Sequence, residues 1–283
     1  MSENTTDKVD EGLEDTEKNH SSEEGHMRSH GEILNTQISE GIETYEQSNS
    51  SIFLSSLTAG LEIGFSYILL CVVVFFFRDR VADDTIWKLT AFVYPVGFIL
   101  IVLGKSILFT EQTSLLFLPV LNKKKTVGQL LKLWGVVIAG NLVGGFIMAG
   151  VAILLGPALG LFDFEAIEKI AKHVSHYSAT VIMGSAILAG WLMGLLSWLL
   201  TSADSTISRI VIIYLVTAVI GATGLHHSIV GNIEVFAGMV TSGKVGFNDY
   251  AIFQSIALIG NAIGGVVFVA VLKYTSFAYN FTR

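Results

Sequence analysis

Charged residues and cysteine are both scarce in this sequence. Only 14% of its 283 residues are charged and 52% are hydrophobic, whereas ordinary soluble domains are about 25% charged. A soluble acidic enzyme is therefore excluded, although the formal net charge is −7. The single cysteine, Cys71, excludes an intrachain disulfide framework. With only three prolines the body is not loop-rich, so most of the 28 glycines must lie inside regular elements.

The acidity is confined to the start of the chain. Residues 1–50 contain 13 acidic and 3 basic residues, a net charge of −10, so residues 51–283 carry +3. Residues 1–32 have almost no apolar side chains to offset the entropy of ordering. We therefore expect residues 1–50 to be an acidic, mostly disordered cytoplasmic tail, and not a signal peptide. Apolar residues at helical spacing follow at Leu34, Ile38, Ile42 and Tyr45. They leave two interpretations open: a short helix against the membrane or a neighbouring subunit, or a frayed tail.

Long apolar stretches make up the rest of the chain. Each can cross the ~30 Å of hydrocarbon in a bilayer. The predicted spans are 52–77, 89–120, 127–155, 179–201, 208–240 and 250–276. An even number of spans puts both termini on one side, and the acidic tail favours the cytoplasm for that side. Lys123–Lys125 would then be cytoplasmic, as positive loops tend to be. The sequence predicts a multi-pass inner-membrane protein embedded in a lipid bilayer.

Spans two and five each run past 30 residues and are interrupted near the middle. The interruptions are Gly104-Lys105-Ser106 and Gly224-Leu225-His226-His227-Ser228. Backbone that leaves a helix inside a membrane must line protein or a watery cavity. Matched breaks of this kind are typical of transporters.

An internal repeat relates the two halves of the body. Residues 140–145 (GNLVGG) recur 120 positions later as residues 260–265 (GNAIGG). The same offset relates Gly104 to Gly224 and Gly64 to Gly184. Residues 51–170 and 171–283, with approximate bounds, are thus predicted to be two copies of a three-span unit. Because three is odd, the second copy is inverted in the membrane. The glycines of the repeated motif are predicted to make close helix contacts rather than to bind a nucleotide.

With these features in place, residues 51–276 resemble the formate/nitrite transporter family. The resemblance rests on Ala59-Gly60 with Gly64, on Leu108-Phe109-Thr110, on Trp134 followed by Gly140–Gly144, and on His227-Ser228-Ile229. It implies an all-α membrane protein with six transmembrane helices, an aquaporin-like fold with inverted three-helix repeats and two broken helices. It also implies a homopentamer with a pore in each protomer, and a small monovalent anion as cargo. The Asn-Pro-Ala motif of the aquaporins proper is absent from the sequence.

The resemblance assigns roles to individual residues. His227 and Thr110 would form the central pair of the pore. One constriction would consist of Tyr94, Phe98 and Phe109, and a second would lie near Met193 and Ile220. Lys172 is nearest to the vestibule lysine of the family, about two positions away. The chain departs from the family pattern where His226 replaces a glutamate and where Asn232 comes one residue late, after Gly231, so it is identified as a divergent branch.

Several candidate residues can also be judged from their chemistry. A histidine in a pore could protonate, or pass a proton, so that a weak acid crosses without leaving a charge in low dielectric. The alternative for His227 is a buried ring bonded to backbone that the break has freed. Thr110 can donate or accept a hydrogen bond. Lys105, Glu62, Glu111 and Glu234 are ionisable residues within spans, where such groups are costly. Pairing of Lys105 with Glu62 or Glu234, and attraction of the anion by a lysine, both remain open.

The sequence therefore predicts transport of formate, nitrite or a similar monocarboxylate, passive or proton-coupled, through a histidine-gated pore. One alternative is a neutral-solute channel of aquaporin type. Another is a non-transporting scaffold or regulator whose acidic tail binds a cytoplasmic partner. We predict no enzymatic activity, no cofactor and no nucleic-acid partner. A metal site at His173 and His176 would need further ligands.

Overall fold

The computed structural model describes residues 28–281, with side chains to residue 276. The predicted disorder of residues 1–27 lies outside this range. The described residues form helices and no strands. In chain order the helices are α1 (His30–Glu46), α2 (Asn49–Glu62), α3 (Gly64–Phe77), α4 (Asp83–Val93), α5 (Pro95–Gly104), α6 (Phe109–Leu121), α7 (Val127–Ala158), α8 (Phe164–Ser175), α9 (Ala179–Thr201), α10 (Thr206–Thr223), α11 (Ser228–Thr241), α12 (Phe247–Gly265) and α13 (Leu272–Phe281). A π-helical segment, Val266–Val271, joins the last two.

The six predicted membrane spans are confirmed. Helices long and apolar enough to cross a membrane cover Asn49–Phe77, Asp83–Gly104, Val127–Ala158, Ala179–Thr201, Thr206–Thr223 and Phe247–Ser276. The predicted breaks are confirmed as well, because spans two and five continue, after an interruption, as the short helices α6 and α11. These half-helices contain 13 and 14 residues.

Close contacts between helices hold each copy of the repeat together. In the first copy α7 packs on α2, and in the second α12 packs on α9. A Cβ atom on Gly144 would meet the carbonyl oxygen of Leu57, and one on Gly264 would meet that of Ile187. The predicted packing role of the repeated glycines is therefore confirmed.

The segment before the first span is an ordered helix. Helix α1 begins with a capping box between Ser29 and Glu32. Its apolar face packs against Leu118 and Trp198 of the body. The buried Gln37 donates hydrogen bonds to the hydroxyls of Ser197 and Thr201, at 3.2 and 3.1 Å. Of the two interpretations of this segment, the structure shows the helix, and it docks on the chain's own body.

Candidate functional site

The two helix breaks have the same backbone design. Helix α5 is followed by Lys105 and helix α10 by Gly224, and both of these residues are in the left-handed region, with φ of 57° and 64°. In each break the backbone is then extended at the residue before the half-helix, which is Leu108 in the first break and His227 in the second. Glycine adopts the left-handed conformation without strain, whereas a lysine there costs about 1–2 kcal/mol.

The Asn141 side chain satisfies the polar backbone of the first break. Its amide group donates to the carbonyls of Ser56 and Ile107, at 2.8 and 2.9 Å. Its oxygen accepts the Phe109 N–H, at 2.8 Å. A buried peptide group without a hydrogen-bond partner costs free energy, and the bonds from this one side chain remove that cost at the interruption inside the membrane.

Asn261 does the same at the second break. It donates to the carbonyls of Ala186 and His226, at 2.7 and 3.0 Å, and accepts the Ser228 N–H at 2.8 Å. Sequence reasoning treated the repeated Gly-Asn motif as helix packing and missed both asparagines. The available signal was a polar residue at the same position of an apolar span in both copies.

His227 and Thr110 meet where the two half-helices begin. The imidazole Nε2 lies 2.7 Å from the Thr110 hydroxyl. The other ring nitrogen, Nδ1, accepts the Val230 N–H at 3.3 Å and so caps α11. A neutral ring with Nδ1 as acceptor carries its proton on Nε2, which then donates to Thr110. The hydroxyl proton of Thr110 is left to point elsewhere.

Aromatic and aliphatic side chains close the space around this pair. The Phe98 ring stands edge-on to the imidazole, with centroids 5.1 Å apart, and contacts Tyr94 in turn. Phe109 packs against Trp134. The predicted constriction residues are all buried: Tyr94, Phe98, Phe109, Met193 and Ile220. Tyr94 also shares a cavity wall with Ile220.

We call the buried region formed by His227, Thr110 and Phe98 the neck, and two cavities flank it. One, of about 300 Å³, is lined by α8 and the start of α4 and reaches His227; we call it the α8-side cavity. The other, of about 460 Å³, is lined by α1 and the ends of α5 and α9; we call it the α1-side cavity. The buried His227 and Thr110 lie between the residues that line one cavity and those that line the other.

The candidate charged residues fall on different sides of the neck. Glu234 is buried on the α8-side cavity, whereas Lys105 and Glu111 line the α1-side cavity. Within residues 28–276, no ion pair joins Lys105 to Glu62 or Glu234. The Glu62 carboxylate instead lies beside Gly104 of the first break.

Two further candidates have structural partners outside the neck. Lys172 is ion-paired with Glu168 at 2.7 Å and does not line the α8-side cavity. Asn232 donates to the Leu142 carbonyl at 3.3 Å and accepts from the Tyr250 hydroxyl at 2.7 Å. The residue therefore ties α11 to α7 and α12.

Histidines also line the outer part of the α8-side cavity. His226 bonds the Ser185 hydroxyl on the neighbouring helix α9 at 2.8 Å, and its Nε2 lies 3.0 Å from the Val174 carbonyl. His173 on α8 stacks on Trp87 with ring centroids 3.7 Å apart. Burial, with the nearby rings of His176 and His226, lowers the pKa of His173 to about 4. That ring is therefore neutral at physiological pH.

Comparison with solved structures agrees with this architecture. A structure described as an FNT family ion channel has a TM-score of 0.75 at 22% identity, over 86% of this chain and 98% of that chain. A pentameric formate channel with formate bound has a TM-score of 0.71 at 22% identity, over 81% and 98%. The predicted aquaporin-like fold is confirmed.

Sequence comparison gives the family. The chain is 30% identical over 241 residues to the inner membrane protein YfdC of Escherichia coli, covering 83% of this chain and 74% of that protein. It is 26% identical to the formate channel BtFdhC of Bacillus thuringiensis, over 84% and 91%. It is also 26% identical to the nitrite transporter NirC of Salmonella typhimurium, over 77% and 80%. Residues 31–275 match the family described as formate/nitrite transporter, a family of membrane transporters and channels and not of enzymes. The chain therefore belongs to the formate/nitrite transporter family.

Proposed function

We propose that this chain carries a small monovalent anion, such as formate, nitrite or a similar monocarboxylate, across the membrane. The observation that carries the proposal is the 2.7 Å contact between His227 and Thr110. It lies where two half-helices meet, between two cavities that open to opposite ends of the spans. Relatives described as formate channels and a nitrite transporter support the choice of cargo.

The neck has the groups that a weak acid needs. With Nε2 of the neutral ring donating to Thr110, the Thr110 hydroxyl can donate its own proton to an anion. A protonated His227 would add a positive charge at the same point. An anion crossing alone would leave its charge in a low dielectric, at a cost of several kcal/mol. Passage as an ion pair with His227, or as the neutral acid, removes that cost.

The proposal extends to assembly and orientation. The pentameric formate channel that shares this fold supports a homopentamer. The YfdC relative supports an inner-membrane location. We place both termini in the cytoplasm because the acidic tail would be costly to translocate, and we keep the tail of residues 1–50 as a candidate site for a cytoplasmic partner.

Flux measurements on the purified chain in proteoliposomes test the function. Uptake of formate, nitrite, acetate and lactate is measured at an acidic and a mildly alkaline pH, for the wild type, His227→Ala and a control. His176→Ala is the matched control, because that histidine is exposed and lies outside the neck.

We expect anion flux that rises as the pH falls, is lost or deregulated in His227→Ala and is unchanged in His176→Ala. Swelling in water or glycerol gradients without any anion flux would identify a neutral-solute channel instead. If no solute moved at all, a scaffold or regulator would be the better description. Equal flux in the His227→Ala variant and the wild type would remove the histidine from the mechanism.

A further inference from the structure

One carboxyl group of the α8-side cavity has no part in the mechanism above. Glu234 lies on α11, seven residues after His227 and therefore on nearly the same face of the helix. Its side chain is buried, with 7% exposure, yet it lines the cavity that His227 also lines. A solute that enters from the α8 side meets Glu234 in the chamber in front of the neck.

Glu234 has no partner in the part of the chain with described side chains. It makes no ion pair there, and no hydrogen bond reaches its carboxylate oxygens. Asn232 and His227, which lie close to it in sequence, both form hydrogen bonds. An unpartnered carboxyl group that lines a cavity can form a hydrogen bond with a solute that enters it.

Few charges surround this group. Lys88 and Asp84, both exposed, carry the charges at the cavity wall contributed by α4. The titratable groups that face the cavity or α11 from neighbouring elements are Tyr67 and Cys71 on α3, Tyr94 after α4, His173 and Tyr177 at α8, His226 and His227 at the break, and Tyr250 on α12. None of these is a fixed cation, and the exposed Lys88 forms no ion pair with Glu234, so an ionised Glu234 has no paired counter-charge among residues 28–276.

The two protonation states of Glu234 treat an anion in opposite ways. The ionised state is costly at this depth without a cation, and it repels a second negative charge in the same chamber. The neutral acid avoids both costs and has an O–H that can donate a hydrogen bond to an anion. A protein carboxyl group that is neutral near physiological pH acts as a donor in just this way.

We propose that Glu234 forms an anion-binding subsite in the α8-side cavity, which is occupied when its carboxyl group is protonated. A solute that enters from the α8 side would reach this subsite before it reaches His227 and Thr110. The inference rests on the anion transport proposed above. Binding changes no covalent bond, because the O–H of the acid only donates to the anion. An anion in the chamber is thereby accompanied by a proton, which couples anion entry to the pH of the solution on the α8 side.

Three variants in proteoliposomes test this role, with the same pH on both sides. Glu234→Gln keeps the size and a hydrogen-bond donor but cannot ionise. Glu234→Asp keeps the titration. Glu111→Gln is the matched control, since it removes a carboxyl group from a half-helix that lines the other cavity.

Above the pH at which half of the Glu234 carboxyl groups are protonated, the protonated fraction falls by up to about tenfold for each pH unit. Wild-type formate flux should fall with it. Glu234→Gln should transport faster than the wild type at mildly alkaline pH and show a clearly shallower profile. Glu234→Asp and Glu111→Gln should keep the wild-type slope. A Glu234→Gln profile that coincides with that of the wild type would overturn the inference and leave the proposed function standing.

A second measurement separates the subsite from transport itself. Infrared difference spectra of the detergent-solubilised protein record the carbonyl band of a protonated carboxyl group. Nitrite is the probe anion, because it has no carbonyl band of its own. We expect nitrite to shift a band that is missing in Glu234→Gln. A nitrite-induced spectrum identical in the wild type and Glu234→Gln contradicts the subsite, even if no flux is found and the proposed function fails.

Discussion

Asn141 and Asn261 occupy equivalent positions in two spans, and each accepts the first N–H of a half-helix at 2.8 Å. Each also donates to two carbonyls, one in its own break and one on a neighbouring span. Two interruptions of the membrane-spanning helices thus depend on two amide side chains.

Replacement of either asparagine by alanine should destabilise the fold severely. Three buried backbone groups lose their partner in each variant, and an unsatisfied buried group costs about 1–3 kcal/mol. We expect a marked drop in Tm for Asn141→Ala and Asn261→Ala, measured by thermal unfolding in detergent. Asn248→Ala, at an exposed asparagine, should unfold like the wild type. Wild-type Tm values for both Asn141→Ala and Asn261→Ala would show that water can form hydrogen bonds with the backbone groups of the breaks.

Two glycines on α7 should respond in opposite ways to alanine. At Gly144 the new methyl group would meet the backbone of Leu57 and lie 2.9 Å from the Gly60 Cα atom, so α2 and α7 must separate. At Gly150 no atom lies within 4 Å. We expect Gly144→Ala to lose about 1–3 kcal/mol of stability through overpacking. Gly150→Ala should be neutral or gain about 0.5–1 kcal/mol, because glycine is a poor helix residue. Denaturation of both variants under identical conditions checks the difference, and equal Tm values would argue against the tight α2–α7 contact.

The hydroxyl of Thr110 should matter for flux more than the shape of its side chain. Thr110→Val keeps the volume but leaves the proton on His227 Nε2 without its acceptor, and it removes the donor available to the anion. With a lost hydrogen bond worth about 1.5–3 kcal/mol when a charged group is involved, formate uptake should fall by tenfold or more. Thr110→Ser should stay close to the wild type. Thr58→Val is the control, since that hydroxyl bonds only the Leu54 carbonyl at an exposed position. Rapid uptake by Thr110→Val would mean that the hydroxyl only supports the helix start.

The stack of His173 on Trp87 should weaken in acid. The pKa of this ring is lowered from 6.5 to about 4, so the folded state binds the proton less tightly than the unfolded chain does. The contribution of the neutral ring is then fully present above pH 6.5 and is lost as the pH falls towards about 4. We expect Tm to decline through this window in the wild type and to decline less in His173→Phe, which keeps an aromatic ring on Trp87. Parallel declines would assign the acid sensitivity to other groups.

Much of the architecture was predictable because it follows from local rules. Span lengths, the two interruptions and the repeat at 120 residues are all visible in the order of apolar and small residues. The glycine contacts followed from the same pattern. These features depend on periodicity along one helix, which a single sequence contains.

The relations across the neck were not predictable in the same way. Sequence alone left open a pairing of Lys105 with Glu234, yet the two residues line cavities on opposite sides of His227. Tyr94 was assigned to a constriction with Phe98 and Phe109, and it also lines a cavity wall with Ile220. The side chains of Asn141 and Asn261 form hydrogen bonds with backbone groups more than 30 residues away in sequence. Each of these depends on which helix faces which, and that is settled only when the two copies pack.

The half-helices α6 and α11 begin, rather than end, at the point where they meet. Each helix start has the positive end of a dipole equivalent to roughly half an elementary charge. This potential belongs to the main chain, so no replacement of a side chain can remove it while the fold persists. A chain that shares only 22% of its residues with solved channels of this fold can therefore gain, lose or relocate lysines and acids and still offer a negative solute a favourable centre. Divergence within such a family is free to change which anions arrive, and how they are admitted, without rebuilding the place through which they pass.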